Sequence, residues 1–551
     1  MRQFVTNVKK LGNSGRTGGR LCLSVILAFF NAVCTQAVTA HACFGWDAVE
    51  RAGWLLIFLG GILPVWLFFA VLDHLGDGCT AGDPGLPRWL PVLFFVCWLP
   101  YLLVYLPGLL NYDTVNQVQD FLDGVAPVPF GYAPGQEEIT VWFNNHHPVF
   151  LSIIFGVFFR LGILLGHPSF GLTLYILLQM AAAAWIFAWA IRETGTFWRI
   201  GSRLLRNAVI AFFALCPVIP YYICIMLKNS VHSLVMVLYV CLYLKIALGD
   251  HVLSCGERVL WAVTVLLLPL TQHTGLYFVI LTGIPLILWG RKENRRAVTA
   301  VLAGAVLLML LLTRAVFPAL NIFPGGKQEV LSTFIQQTAR YIRDHEDEVT
   351  EEEKEVISAV LDYEVLRDGF EFYSTDPVKA TYHLHATTAE RNAYLKVWAR
   401  QGLRHPGAYF RATLPICGQF FALGYDVAIF DHIPSDSGIF AEIRHVMPES
   451  VRATFTGWYE WLRALPGVDL LFQHVLYTLW IPVYCLYRVI RTGRRKVLFI
   501  TPFLVNAVFL IASPVIYSRY ALPLLFTAPI LLYTVLGLGA GPADREDASA
   551  G

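Results

Sequence analysis

The stretch Pro148-Val149-Phe150-Leu151-Ser152-Ile153-Ile154-Phe155-Gly156-Val157-Phe158-Phe159-Arg160 decides how this chain is threaded. It is apolar enough to be taken for a membrane span, yet it opens on a proline, carries an arginine and runs on to Gly166-His167-Pro168. A charged side chain at the centre of a span costs about 2.5–3.5 kcal/mol on insertion scales. The stretch is therefore expected to form a re-entrant or interfacial helix that enters and leaves on the outer side. Everything downstream depends on this. Were 148–166 a full span, the basic cluster from Arg192 to Arg206 would fall outside the cell and every later assignment would invert.

Working outward, runs near the length that crosses a hydrocarbon core occur at about 21–40, 52–72, 89–109, 170–191, 207–226, 231–248, 274–290, 297–317, 471–488, 497–513 and 520–538, with a shorter one at 259–270. The chain is thus expected to be an α-helical polytopic membrane protein with about twelve transmembrane helices. The basic clusters Lys9 to Arg20, Arg192 to Arg206, Arg291 to Arg296 and Arg488 to Lys496 then all face the cytoplasm, as the positive-inside rule requires. Both termini, 1–20 and 539–551, are cytoplasmic in this scheme. The body covers 21–317 with an outer loop at 110–169, an outer domain covers 318–470, and the last three spans cover 471–538. The first run has a second reading as a secretory signal, since Arg16 and Arg20 precede it and Ala40-His41-Ala42 resembles a cleavage site. An uncleaved span is preferred, and either choice leaves residue 45 outside.

Composition agrees. Of 551 residues, 56% are hydrophobic and 15% charged, against about 45–50% and about 25% in soluble domains, which excludes a soluble enzyme, a disordered chain and a collagen-like one. The net charge of +2, from 41 basic and 39 acidic residues, gives no excess for binding nucleic acid. It conceals a division: residues 318–470 hold 22 acidic and 14 basic side chains, a balance of −8, and the remainder carries +10. The outer domain should be soluble, acidic and mainly helical, with capping-box spacing at Thr350-Glu351-Glu352-Glu353 and Thr387-Thr388-Ala389-Glu390. The charge run from Asp344 to Glu355 is expected to be a solvated helix face. The eleven cysteines lie mostly in apolar runs, among them Cys22, Cys34, Cys97, Cys216, Cys224, Cys241 and Cys485, without CxxC spacing, and are expected to act as small core hydrophobes. Neither an internal repeat nor an inverted pair of broken spans is visible, which disfavours alternating access.

The few polar groups on the outer surface are the candidates for chemistry. Asp113 follows Leu106-Pro107-Gly108-Leu109-Leu110-Asn111-Tyr112, where the chain leaves the hydrocarbon. It suits a general base acting beside the membrane, and equally the N-cap of a helix at 114–122. Asn145-His146-His147-Pro148 opens the re-entrant helix. Adjacent histidines are poorly spaced for a metal and better placed to donate to a phosphate or sugar hydroxyl, with a polar helix cap as the plain alternative. Lys228-Asn229, Gln272-His273 and Tyr517-Ser518-Arg519-Tyr520 sit at outer ends of spans, each explicable alone as a loop or snorkelling residue. Together, Asp113, His146, His147, Lys228, His273 and Arg519 form a basic ring around one carboxylate. A site that handles a lipid phosphate needs cations for the departing phosphate and a carboxylate for the acceptor's proton. In the outer domain, Asp376-Pro377-Val378-Lys379 and Arg404-His405-Pro406 flank a helix containing Trp398, and domain packing is the preferred account of them over acceptor contact.

These pieces resemble the GT-C class of membrane glycosyltransferases, which includes protein mannosyltransferases and the aminoarabinose transferases of lipid A, and more closely an uncharacterised bacterial family regarded as GT-C-like. The matching residues are Pro107-Gly108 with Asp113-Thr114 and Gln117, Asn145-His146-His147-Pro148, Lys228-Asn229, Phe334 with Gln336-Gln337 and Ala339-Arg340, Asp376-Pro377-Val378-Lys379, and Arg519-Tyr520, spread over 90–535. The resemblance implies an inverting transfer of a sugar from a polyprenyl-phosphate donor to a cell-envelope glycan, lipid or protein hydroxyl at the outer face of a bacterial plasma membrane. Asp113 would be the catalytic base, and His146, His147, Lys228, His273, Arg519 and Tyr520 would bind substrate. Asn229 stands where the family often has Asp. Some members of the class use a divalent cation, which Asn229 disfavours here; Asp120, Asp123, Glu137 and Glu138 are the remaining candidates for a second carboxylate. The rivals are a transporter or flippase of lipid-linked sugars, which should show polar residues continuing to mid-membrane, and a binding or assembly scaffold. An O-antigen-type polymerase or ligase stays within the enzyme class.

Overall fold

The computed structural model describes residues 2–39, 48–83, 85–124, 126–127, 140–249, 251–429, 433–434, 438–491 and 497–538, with side chains from residue 17 on except at 48–50, 126, 127 and 140. The cleavage-like Ala40-His41-Ala42, the carboxylates Glu137 and Glu138, the tail 539–551, and the side chains of Lys9 to Arg16 and of 492–496 lie outside the described residues.

The membrane body contains α1 (Arg2–Thr39), α2 (Ala48–Asp77), α3 (Leu90–Val104), α4 (Tyr112–Asp123), α5 (Val149–Leu164), α6 (Pro168–Phe197), α7 (Arg203–Leu215), α8 (Val218–Ile223), α9 (Lys228–Ala247), α10 (Cys255–Thr271), α11 (Thr274–Trp289), α12 (Lys292–Leu311) and the short α13 (Phe317–Ala319). Beyond it come α14 (Gln328–His345), α15 (Glu351–Ser358), α16 (Tyr363–Leu366), α17 (Asp376–Lys379), α18 (Thr388–Arg404), α19 (Pro406–Gly418), α20 (Glu449–Arg463), α21 (Ile481–Arg491), α22 (Thr501–Ile511) and α23 (Leu522–Gly537). Among the described residues, six helical stretches are long and apolar enough to cross a membrane, and four shorter apolar helices of 10–17 residues, α3, α5, α11 and one covering Val497–Ile511, accompany them. This is a multi-pass membrane protein whose apolar helices are not uniform in length. The run at 207–226, expected as one span, breaks after Leu215: Pro217 supplies no N–H, α8 restarts at Val218, and Ile225-Met226 is extended.

That break has a use. Ile225-Met226 pairs in parallel with Leu109-Leu110, which fixes the chain just before Asp113 against the chain just before Lys228. Gln179 of α6 seals the junction from below, donating to Ile223 O at 2.7 Å and Ile225 O at 2.9 Å. Gly108 makes the approach possible: its φ is +131°, and a Cβ there would stand 2.7 Å from Ile176 Cγ1.

The stretch from Pro148 to Arg160 forms α5 and turns back through Gly166, at φ +102°, into α6. The two helices cross at glycines, since a Cβ on Gly171 would meet Phe158 O at 2.0 Å and one on Gly162 would meet Gly171 N at 2.6 Å. Phe155 and Phe158 pack edge-on against Tyr175. α5 thus packs antiparallel on the first half of α6, and Leu151, Phe155 and Phe159 enter the core of the membrane body.

Residues 318–470 divide between two cores. Ile335, Ala339, Ile342, Val360, Leu366, Val378, Tyr394 and Ala412 build a separate core, so 328–412 is an outer unit of its own. Phe420, Val427, Phe440, Tyr459 and Phe472 belong instead to the core of the membrane body. The expectation of one soluble domain up to 470 therefore overreaches: its acidic residues concentrate before 377, and the aromatic-rich remainder folds back onto the spans. Within the outer unit Thr387 and Glu390 form the full capping box, while Thr350 accepts from Glu353 N. The unit is spliced to the loop before α23 by a β-bridge between Ser374 and Val515, with Thr375 N donating to Pro514 O at 2.8 Å.

Candidate active site

Helix α4 starts at Asn111, whose Oδ1 accepts from Asp113 N at 3.0 Å. The cap is thus Asn111, and the carboxylate of Asp113 is left for other partners. One face of α4 is held inward, with Thr114 Oγ1 donating to Met226 O at 2.5 Å and Gln117 Nε2 to Ser152 Oγ at 3.1 Å. The other face carries Asp113, Asn116, Asp120 and Asp123 at helical spacing into a cavity of about 820 Å³.

Asp113 Oδ2 lies 3.1 Å from Lys228 Nζ and 3.1 Å from Arg519 Nη2. Lys228 also donates to His147 Nδ1 at 2.7 Å, which places the imidazole proton on Nε2. Arg519 Nη1 donates to Asn111 Oδ1 at 2.8 Å, and its guanidinium stacks over the Tyr517 ring at 4.3 Å and faces that of Tyr520 at 5.7 Å. The His146 and His147 rings are 4.5 Å apart, and His273 Nε2 donates to His146 O at 3.2 Å. All seven residues expected at the site line this one cavity.

Electrostatics sorts them. Burial pushes the Asp113 carboxyl up, but Lys228 and Arg519 beside it outweigh burial and hold it well below the usual carboxylate range. Burial, reinforced by Lys228, lowers all three imidazoles, His147 well below its ordinary value and His273 to about 4. The positive charge of the ring is therefore carried by Lys228 and Arg519, with the histidines neutral. Asp120 is the opposite case from Asp113: burial, then the neighbouring Asp123, raises it to about 7.

The outer unit reaches the same cavity. Glu329 of α14 lies 3.9 Å from His146 Nδ1 and 2.9 Å from Lys379 Nζ, which also contacts Asp376 at 2.8 Å. Lys379 and Asp376 are thus cavity-lining rather than only packing residues; Glu329, in the first turn of a surface-like helix, carried no signal in the sequence. Arg404 and His405 do pack, on Glu353 and Glu348. Asn229 is buried, neither side-chain amide atom has a hydrogen-bond partner, and it does not line the cavity.

A divalent cation fits poorly at Asp113, whose carboxylate is already shared by two fixed cations. Among the described residues one cluster has metal-ligand composition, His345, Glu348 and His405, and it lies in the outer unit away from the cavity lining.

Away from the charged ring the cavity floor is mainly apolar, lined by Met236, Tyr277, Phe278, Phe509, Leu510 and Pro523 from α9, α11, α22 and α23, with His232 of α9 and Asn506 of α22 as polar members. One cavity thus joins the Lys228–Arg519 pair, in a lining that also holds Lys379 and five carboxylates, to a mainly apolar floor, an arrangement that suits an amphiphile with a small anionic head.

Two solved structures of the Archaeoglobus fulgidus oligosaccharyltransferase are similar in part. The apo form aligns with a TM-score of 0.39 at 11% identity, covering 84% of this chain and 52% of that one. The enzyme AglB in complex with an inhibitory peptide and a dolichol-phosphate aligns with a TM-score of 0.34 at 13% identity, covering 96% and 51%. This chain corresponds to about half the length of either, and similarity this low does not establish a common fold. No curated protein matches the sequence. A family model does, over residues 87–548, nearly the whole region that builds the cavity, and the chain belongs to that family, DUF6020, a family of unknown function.

Proposed function

We propose that this protein is a membrane glycosyltransferase of GT-C type, which takes a sugar from a polyprenyl-phosphate donor at the outer face of a bacterial plasma membrane and passes it, with inversion, to a cell-envelope glycan, lipid or protein hydroxyl. One observation carries the proposal: Lys228 and Arg519, both largely buried, converge at 3.1 Å on Asp113 at the head of a cavity whose floor is mainly apolar. At Asp113 itself two cations meet one carboxylate, a local excess of one positive charge within a lining that elsewhere carries Lys379 with Glu329 and Asp376, and Asp120 with Asp123. A lipid phosphate entering the cavity completes the balance, and its prenyl chain covers the apolar floor. When the donor's glycosidic bond breaks, the charge that develops on the phosphate is met by groups already in place.

Asp113 acts in this scheme as the residue that holds both cations at one point in the absence of donor. With two cations beside it, it is a weak proton acceptor, which departs from the base role expected from the sequence. Neutral His147 keeps Lys228 oriented, and the Tyr517 ring keeps Arg519 in place.

A transporter would need polar groups to continue through the body, and past Lys228 along α9 and along α22 the cavity offers only His232 and Asn506 among apolar neighbours such as Met236, Phe278 and Phe509. The test is a lipid extract of a deletion strain beside its parent. Accumulation of a polyprenyl-phosphate sugar together with a truncated envelope glycan is expected; an unchanged extract and glycan would count against the assignment.

A further inference from the structure

We infer that Asp120, not Asp113, takes the proton from the acceptor hydroxyl in the transfer proposed above, so the inference rests on Lys228 and Arg519 receiving the donor phosphate. In an inverting displacement the acceptor oxygen attacks the anomeric carbon from the face opposite the leaving phosphate. The new carbon–oxygen bond forms as the old one breaks, its electron pair departs on the phosphate oxygen, and the hydroxyl proton passes to a base. Clamp and base therefore stand on opposite sides of the sugar. With hydrogen-bond and near-attack distances of about 3 Å for each contact, they are separated by roughly 10 Å.

Asp113 does not meet this requirement, because it touches both clamp cations at 3.1 Å and so lies on the leaving-group side. Asp120 does. It lies seven residues further along α4, two turns and about 10.5 Å by helix rise, on the same cavity-lining face. Among the described residues no hydrogen bond or ion pair occupies its carboxylate. The charged group beside it is Asp123, and α5, packed against α4, contributes only the exposed Arg160. Burial and Asp123 raise Asp120 to about 7, where a carboxylate can both accept a proton and be substantially ionised at neutral pH. The two aspartates thus divide the work of one helix face, Asp113 assembling the phosphate clamp and Asp120 serving the acceptor.

The test uses the full chain in lipid nanodiscs, with farnesyl phosphate as the binding probe and, as donor, labelled polyprenyl-phosphate sugars extracted from deletion-strain membranes. Asp120→Asn should bind farnesyl phosphate within twofold of wild type and keep its donor KM, while kcat falls at least 100-fold; Asp120→Glu should restore part of the loss. Lys228→Ala should instead weaken farnesyl phosphate binding at least tenfold. Transfer by Asp120→Asn at the wild-type rate, or its rescue by added Mg²⁺ or Mn²⁺, would overturn the assignment and leave the clamp standing. A wild-type protein that neither binds farnesyl phosphate nor transfers label would overturn the clamp itself, and the role of Asp120 with it.

Discussion

The two ends of α9 present the same residue in opposite settings. Lys228, its first residue, shares one carboxylate with a second cation and faces a cavity. Lys245, in its last turn, lies 2.5 Å from Glu193, also contacts Glu257, and packs over the Phe197 ring at 4.6 Å. Both lysines are largely buried, so burial alone does not distinguish them. The charges in direct contact do: Lys228 and Arg519 against Asp113 give an excess of one positive at the first turn, and Lys245 against Glu193 and Glu257 an excess of one negative at the last, where His251 adds a hydrogen bond to Glu257 at 2.8 Å. A lysine outnumbered by carboxylates is a staple, because every charge-assisted bond it can make is made. A lysine in excess over carboxylate retains affinity for a further anion.

Exchanging the two roles tests this difference most severely. Lys228→Ala should lower transfer about 10²–10³-fold, as loss of a preorganised charge-stabilising group does, and leave the thermal midpoint close to wild type. Lys245→Ala should do the reverse, retaining transfer per folded molecule while destabilising by about 2 kcal/mol, since Glu193 loses its partner and Glu257 keeps only His251 and Ser254. Parallel thermal unfolding and transfer assays read both, and equal stability losses would abolish the distinction.

A pH profile sharpens it next. With Asp120 near 7, the base is active only when deprotonated, so kcat should fall about tenfold per pH unit below 7 and level off above it. Asp120→Asn should lose that limb. It should also be at least as stable as wild type at pH 8, since a carboxyl whose pKa is raised on folding opposes the folded state once ionised. Arg519→Lys tests the Lys228 end more gently. The ammonium cannot reach Asn111 and Asp113 together in the guanidinium's fork geometry, and about a tenfold loss in transfer is expected.

The smallest effect belongs to the staple at Lys245. Burial pushes the Glu257 carboxyl up, but Lys245 and His251 outweigh it and bring it down to about 2 from an ordinary 4.5. A depressed carboxyl contributes stability that is fully present above about 4.5 and lost as pH falls toward 2. Glu257→Gln should therefore lower the unfolding midpoint at pH 7 by the equivalent of about 1–2 kcal/mol, discounted for its partial exposure, and converge on wild type near pH 2.

Much of this was legible in the residues. Charge bias and span ends grouped Asp113, His146, His147, Lys228, His273 and Arg519 although they are scattered over the sequence, and all six line one cavity. Three things were not legible. Pro217 breaks an apolar run that hydropathy reads as continuous, since hydropathy is blind to a missing N–H. Aromatic residues after 420 look like a soluble domain's core and are instead matched to the spans, because apolar side chains do not encode which core they enter. Asn111 takes the cap that Asp113 could equally have taken, and only the positions of Lys228 and Arg519 settle that competition.

The bridge between Ser374 and Val515 ties the soluble unit to the short loop that leads into α23. Arg519 follows that loop directly, so the guanidinium takes its bearing from the 328–412 unit as well as from α23, which it precedes. A displacement of the 328–412 unit is then a displacement of the cation: in the proposed transfer the unit would act as a lever arm on the group that receives the donor phosphate.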